Sequence, residues 1–371
     1  MISKIKFVFS VLNATQKKRF FWLFSFMVFS SFFEILNIVA LIDFANFLSS
    51  HSSGKYFGFF EKVMSLLNIN YIPDIQLRGF IVIIILILST ISSLMTIYLS
   101  ARFSYFTGGE LESKLFNYYL KRNYLFHLDT TSSKLLNNIF ELVKRITDFV
   151  LNASLLILSK LIFLIPLIVG LIIYKTKITL IVCFLFISLY FIFFKIFRKK
   201  LSYLGELQTN MTKEKFSVLQ EGFGAIKEIK ILDKYKFFQT KYRDIYSLYA
   251  QLMVKREMIG KFPKHFIEFF TFAACIFLIT YLNRNFNYSF NQMVFNLSFF
   301  IICAYKIIPA FQQIYYHVAV IRYHIPALDA ISSDFVEVKK IELKNNLIEI
   351  KNSKFSNFKL ISVKDLNFNY K

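Results

Sequence analysis

Cysteine is scarce: Cys183, Cys275 and Cys303 are the only three in 371 residues, each lies in an apolar run, and none has CxxC spacing. Neither a disulfide framework nor a thiolate metal site is indicated. The five histidines, His51, His127, His265, His317 and His324, are too scattered for metal-ligand spacing, and HExxH and nucleophile-elbow patterns are missing. Glycine is sparse too. A phosphate loop needs Gly-Lys-Ser/Thr, yet of ten glycines only Gly54 and Gly260 precede lysine, and Tyr56 and Phe262 follow. Acidic residues are outnumbered, 23 against 45 Lys and Arg, for a net charge of +22 with only 18% of residues charged. That balance excludes a disordered chain and an ordinary soluble enzyme. No basic stripe stands apart from the loops described next, so the charge does not point to nucleic acid.

What is abundant is apolar: 56% of residues are hydrophobic and 48 are Phe. Runs long enough to cross a bilayer occur six times, at 20–48, 79–101, 149–174, 178–197, 266–282 and 289–316. Gly79 to Leu99 holds no charge, and its 21 residues reach about 31 Å as a helix, the hydrocarbon thickness. The first run is too long for a signal peptide and follows a basic leader, 1–19, with Lys4, Lys6, Lys17, Lys18 and Arg19. With the amino terminus inside, 37 of the 45 basic residues fall on inner segments (1–19, 102–147, 195–264 and 322–371) and only six on outer ones. The residues flanking each span obey the positive-inside rule. This predicts a multi-pass protein of the cell (inner) membrane with both termini cytoplasmic.

Outer connections such as Lys175-Thr176-Lys177 are very short, whereas the two inner ones run to about 45 and 65 residues. Apolar residues recur there at helical spacing, as in Phe216, Leu219, Phe223 and Ile226, with little Pro or Gly to break them. Transmembrane helices are therefore expected to continue into the cytoplasm, reverse and return. Outside, Phe57, Phe60, Val63, Met64 and Leu67 form one face of an amphipathic helix at 57–67.

Two long cytoplasmic hairpins, between spans two and three and spans four and five, resemble the membrane domain of exporter-type ABC transporters. Local sequence agrees with this. Gln220-Glu221-Gly222-Phe223-Gly224-Ala225-Ile226-Lys227-Glu228-Ile229-Lys230 looks like the family's second intracellular loop, and Asn123-Tyr124-Leu125-Phe126 through Asn138-Ile139 sits where the first should be. Ala304-Tyr305-Lys306-Ile307-Ile308-Pro309-Ala310 and Arg322-Tyr323-His324-Ile325-Pro326-Ala327-Leu328 resemble the sixth helix of the lipid-linked oligosaccharide flippase branch. The resemblance implies an all-α membrane domain of six helices over 20–328, a connector at 329–346, and, from the alternation Ile361, Val363, Leu366, Phe368, Tyr370, the opening strands of a nucleotide-binding domain at 347–371. Tyr370 would stack on adenine. With no phosphate loop or LSGGQ-like signature in these residues, ATP and Mg are expected to act only through a nucleotide-binding domain from further sequence or a separate chain. The chain is read as a half-transporter ending at the start of that domain, with no ATPase activity of its own.

By the same resemblance, Lys306 and Lys264 face a central cavity and would attract a lipid pyrophosphate, and Glu34 matches an acidic position that could pair with an interior base. Lys160 is a further charge inside a span. Such charges usually face an interior, because each costs about 2.5–3.5 kcal/mol at a helix centre. Snorkelling of Lys264, Lys160 and Lys306 to the boundary is the bland alternative. Where some relatives carry another base on the second helix, this chain has Ser89 and Thr90. Tyr124, His127 and Asp129 in a turn at 124–133, and Glu221, Phe223 and Lys227 in one at 220–230, are expected to touch a nucleotide-binding domain. The expectation is an ATP-driven exporter acting as a homodimer on a lipid-linked glycan or other amphipathic lipid. Two other readings stay open: a truncated remnant that transports nothing, and a non-ATP membrane protein of glycan assembly.

Overall fold

The computed structural model describes residues 2–49, 75–285 and 290–345. The expected amphipathic helix at 57–67, the strands at 347–371 and Tyr370 lie outside these. Every element among the described residues is helical: α1 (Ile2–Ser10), α2 (Ala14–Ser49), α3 (Ile75–Leu120), α4 (Tyr124–Asp129), α5 (Ser132–Leu136), α6 (Val143–Ile146), α7 (Asn152–Gly224), α8 (Ile226–Ile231), α9 (Tyr235–Asn285) and α10 (Phe290–Asn345). Two π-helical stretches, Asn137–Leu142 and Thr147–Leu151, flank α6.

Among the described residues, three helical stretches, Ala14–Ala45, Ile75–Leu120 and Ser132–Ile173, are long and apolar enough to cross a membrane. They overlap the first three expected spans. Their length shows how much chain stands outside a bilayer. The 46 residues of α3 reach about 69 Å, more than twice a hydrocarbon core of about 30 Å. The charge-free half of α3 spans that core, and the half carrying Arg102, Glu110, Glu112 and Lys114 continues beyond it.

The 73-residue α7 is one run of helical backbone, yet it folds back on itself. Arg145, just before it, hydrogen-bonds Thr209 at 3.1 Å. Were the intervening 64 residues one straight helix, the two would be about 96 Å apart. Leu164 and Tyr190 likewise pack on neighbouring turns of α10, through Ile307 and Ala310 and through Phe311 and Tyr315. Both pairings centre on Lys177, so the chain reverses at the short Lys175-Thr176-Lys177 connection. Each leg of α7 packs along α10, α2 lies against α3, and α9 lies against the second leg.

The main core lies beside the charged half of α3. Leu111, Leu115, Tyr118 and Tyr119 of α3 recur at helical spacing and pack on Leu142, Val143, Ile146 and Val150, with Ile321, Ile325, Leu328 and Ile331 of α10 completing the layer. The leader helix α1 closes one side through Val8, and Lys4 reaches Asp329 at 2.5 Å.

Candidate functional site

The charges predicted inside the spans are partly brought together. Glu34 lies on the packing face of α2, one turn before Ile38, and Lys160 lies one turn before Phe163 and Leu164 on the first leg of α7. Their side chains form an ion pair at 3.6 Å, both largely buried, with the Lys160 ammonium 5.9 Å from the Phe163 ring. Helical spacing forces this placement, because the residues four positions on are core residues. Ser31 donates to the Ile162 carbonyl at 3.1 Å and Ser30 to Ser92 at 3.3 Å, so small hydroxyls draw α2 close to both neighbours. Asn37, one turn beyond Glu34, buries a side-chain oxygen with no partner among the described residues.

Lys306 immediately precedes Ile307, which packs in the same apolar layer as Ile38 and Phe163. Its ammonium lies 6.0 Å from the Tyr305 ring and makes no ion pair among the described residues. Lys264 is not part of this group. It is half-exposed and pairs with Glu268 at 3.8 Å on its own helix, and His265 approaches the same carboxylate at 3.5 Å. Ser89 is buried and accepts through its carbonyl from Ser92, whereas Thr90 bonds back to the Leu86 carbonyl and is exposed.

A second constellation was not legible in the sequence. Arg145 and His324 are each only 2% exposed. The Arg145 Nε donates to His324 Nδ1 at 3.1 Å and an Nη donates to Thr209 at 3.1 Å. Because Nδ1 accepts, the His324 proton sits on Nε2, which has no partner among the described residues. Phe149 stacks on the imidazole at 4.2 Å, and the Arg256 guanidinium lies over Phe149 and Tyr323 at 5.4 and 5.2 Å. Burial first, then the Arg145 and Arg256 charges, hold the His324 pKa well below its usual 6.5. The second leg of α7 meets this cluster at Gly205, where an added Cβ would lie 1.8 Å from the Tyr323 carbonyl oxygen. Three helices therefore cross at one buried polar knot.

The two predicted turns differ. Asn123 caps α4 by accepting from the Phe126 N–H at 3.3 Å. Tyr124 is 74% exposed, Asp129 is exposed, and His127 is half-buried with its ring edge-on to Phe126. At the second turn α7 ends at Gly224, α8 follows, and Asp233 takes a left-handed conformation (φ 50°) while Lys234 N–H bonds the Ile229 carbonyl at 3.0 Å, a Schellman closure. Glu221 accepts from Ser217 at 2.8 Å and Lys241 at 3.2 Å, which holds its pKa below the ordinary carboxylate value. Phe223 is 74% exposed, and Lys227 is exposed beside it.

Residues 11–305 match the family described as the ABC transporter transmembrane region. The chain belongs to that family. This membrane domain also shares its fold with a solved bacterial Atm1-family ABC exporter with ATP bound, at a TM-score of 0.65 and 13% identity. The likeness covers 88% of this chain and 54% of that exporter, so the ABC membrane domain described here spans about half of that chain.

Proposed function

We propose that the chain is the membrane half of an ATP-driven exporter, with six spans in the cell membrane, both termini cytoplasmic, and a second copy completing the pathway. Its substrate is a lipid-linked glycan or another amphipathic lipid bearing anionic phosphates. The observation that carries this reading is the charged layer at membrane depth. Lys160 is paired with Glu34, while Lys306, beside the same packed layer, makes no ion pair among the described residues. A cation with no carboxylate partner in such a place suits a moving anion.

No glycine here is followed by Lys and Ser or Thr, so these residues have no cradle for ATP phosphates. The turns at 124–133 and 220–230 would receive a nucleotide-binding domain through Tyr124, His127, Asp129, Glu221, Phe223 and Lys227. The test is co-reconstitution with nucleotide-binding domains in vesicles, following ATP-dependent translocation of a lipid-pyrophosphate-linked oligosaccharide. Lys306→Ala is expected to lower the rate several-fold with the protein still inserted. An unchanged rate would overturn the substrate reading.

A further inference from the structure

A cleft of about 720 Å³ lies between α2 and α3, away from the Glu34–Lys160 pair. Two contacts set its register. Phe20 meets Phe103 at 6.2 Å, and ten residues further along α2 Ser30 bonds Ser92. Arg19 and Arg102 therefore stand at one end of the cleft, together with Trp22, and Phe26, Phe29 and Leu99 wall it toward the middle of the bilayer. Arg19 directly precedes the first apolar run, and Arg102 follows the stretch 79–101, which is free of charge. Both guanidinium groups thus sit at headgroup depth, on the side that the basic segments mark as cytoplasmic.

We infer that this cleft is a binding site for an anionic glycerophospholipid of that leaflet. The phosphodiester would lie between Arg102 and Arg19, with an acyl chain along Phe26 and Phe29. Charge complementarity selects the occupant. No acidic residue precedes Glu34, so Lys17, Lys18 and Arg19 meet no carboxylate on their own stretch of chain. Glu110 takes one side of Arg19 at 3.5 Å and also accepts from Gln16 at 2.6 Å. Arg102 makes no ion pair among the described residues; its guanidinium lies 5.8 Å from the Phe106 ring and is exposed. Arg102 is therefore the principal phosphate contact and Arg19 the secondary one. A zwitterionic lipid would offer the same chain but no net charge.

Trp22 is the only tryptophan of the chain and lines the cleft, so it reports occupancy directly. The 371-residue protein is reconstituted with phosphatidylglycerol or phosphatidylcholine brominated on the acyl chain, and quenching of Trp22 is titrated. The expected preference for the anionic lipid is about fivefold, the worth of one basic residue at a membrane surface. It should vanish in Arg102→Gln, persist in Arg102→Lys, and persist in Lys199→Gln on the exposed face of α7. Arg102 is exposed, so its loss does not unpack the core; Arg19→Gln gives an independent reading through a smaller reduction. Equal quenching by the two lipids in the unaltered protein, or a preference that survives Arg102→Gln, would overturn the site. Transport activity does not enter this readout, so the two proposals fail separately.

Discussion

Where the chain turns between Tyr119 and Asn138, hydrogen bonds run back into its own long helices; where it turns between Glu221 and Tyr235, they stay within the hairpin. At the first turn Tyr119 donates to Asp334 at 2.6 Å and accepts from Asn138 at 3.0 Å. Tyr118 donates to the Glu337 carboxylate, and Arg122 closes on the same group at 3.3 Å. At the second turn the side-chain bonds are Ser217 and Lys241 to Glu221, while Phe223, Ile226, Ile231 and Leu232 face outward and Ile229 alone is buried in α8. One hairpin is finished by its own chain. The other is secured at its root, where Gly205 meets Tyr323, and presents an apolar tip that something else must cover.

The strongest way to break this contrast is at the root. Gly205→Ala puts a methyl group into the Tyr323 carbonyl and should cost about 3 kcal/mol, seen as a lower melting temperature and loss of monodispersity. Gly109→Ala, where a Cβ would meet nothing within 4 Å, should be neutral or gain up to about 1 kcal/mol. Next in size is Tyr119→Phe, which leaves Asp334 without its donor and should cost about 1–3 kcal/mol. Hydrogen exchange should then rise across 122–138 and stay unchanged across 221–235; equal changes in both would erase the distinction.

Acidity probes the knot between the hairpins. The depressed pKa of His324 means that the fold requires the neutral ring, so its contribution is complete above about pH 6.5 and falls below that by up to about 1.4 kcal/mol per pH unit. Arg145 and Arg256 are the cations that face it. His324→Gln should flatten the dependence of melting temperature on pH between 6.5 and 5. The smallest effect is expected at the tip. Phe223→Ser should change stability by no more than about 0.5 kcal/mol, yet weaken binding of a nucleotide-binding domain in a pull-down. A large loss of stability would mean that the tip is covered by its own chain after all.

Much of this arrangement follows from local pattern. The charge-free run from Gly79 to Leu99 and the short link at Lys175-Thr176-Lys177 each depend on composition within a few turns, and the helix and the reversal fall there. Glu34 and Lys160 were each conspicuous as charges in apolar surroundings, but their pairing joins residues 126 positions apart and depends on how two helices are rotated about their axes. Arg145 and His324 lie 179 positions apart, and neither is unusual among its neighbours in sequence. Helical periodicity states which face is buried, not which residue of another hairpin it meets. Gly205 carries the same lesson, since its partner is a backbone oxygen that no sequence pattern announces.

The two wide π turns on either side of α6 act on rotational phase as one inserted residue each, a step of about 100° apiece. Val143, Arg145 and Ile146 are consequently held in a phase of their own, out of step with the helix before Asn137 and after Leu151. Deleting one codon from either stretch would remove the extra residue and leave Arg145 facing His324, whereas deleting a second from the same stretch would turn it away by about 100°. The knot is thereby open to loss by a change in chain length that leaves every one of its own side chains in place.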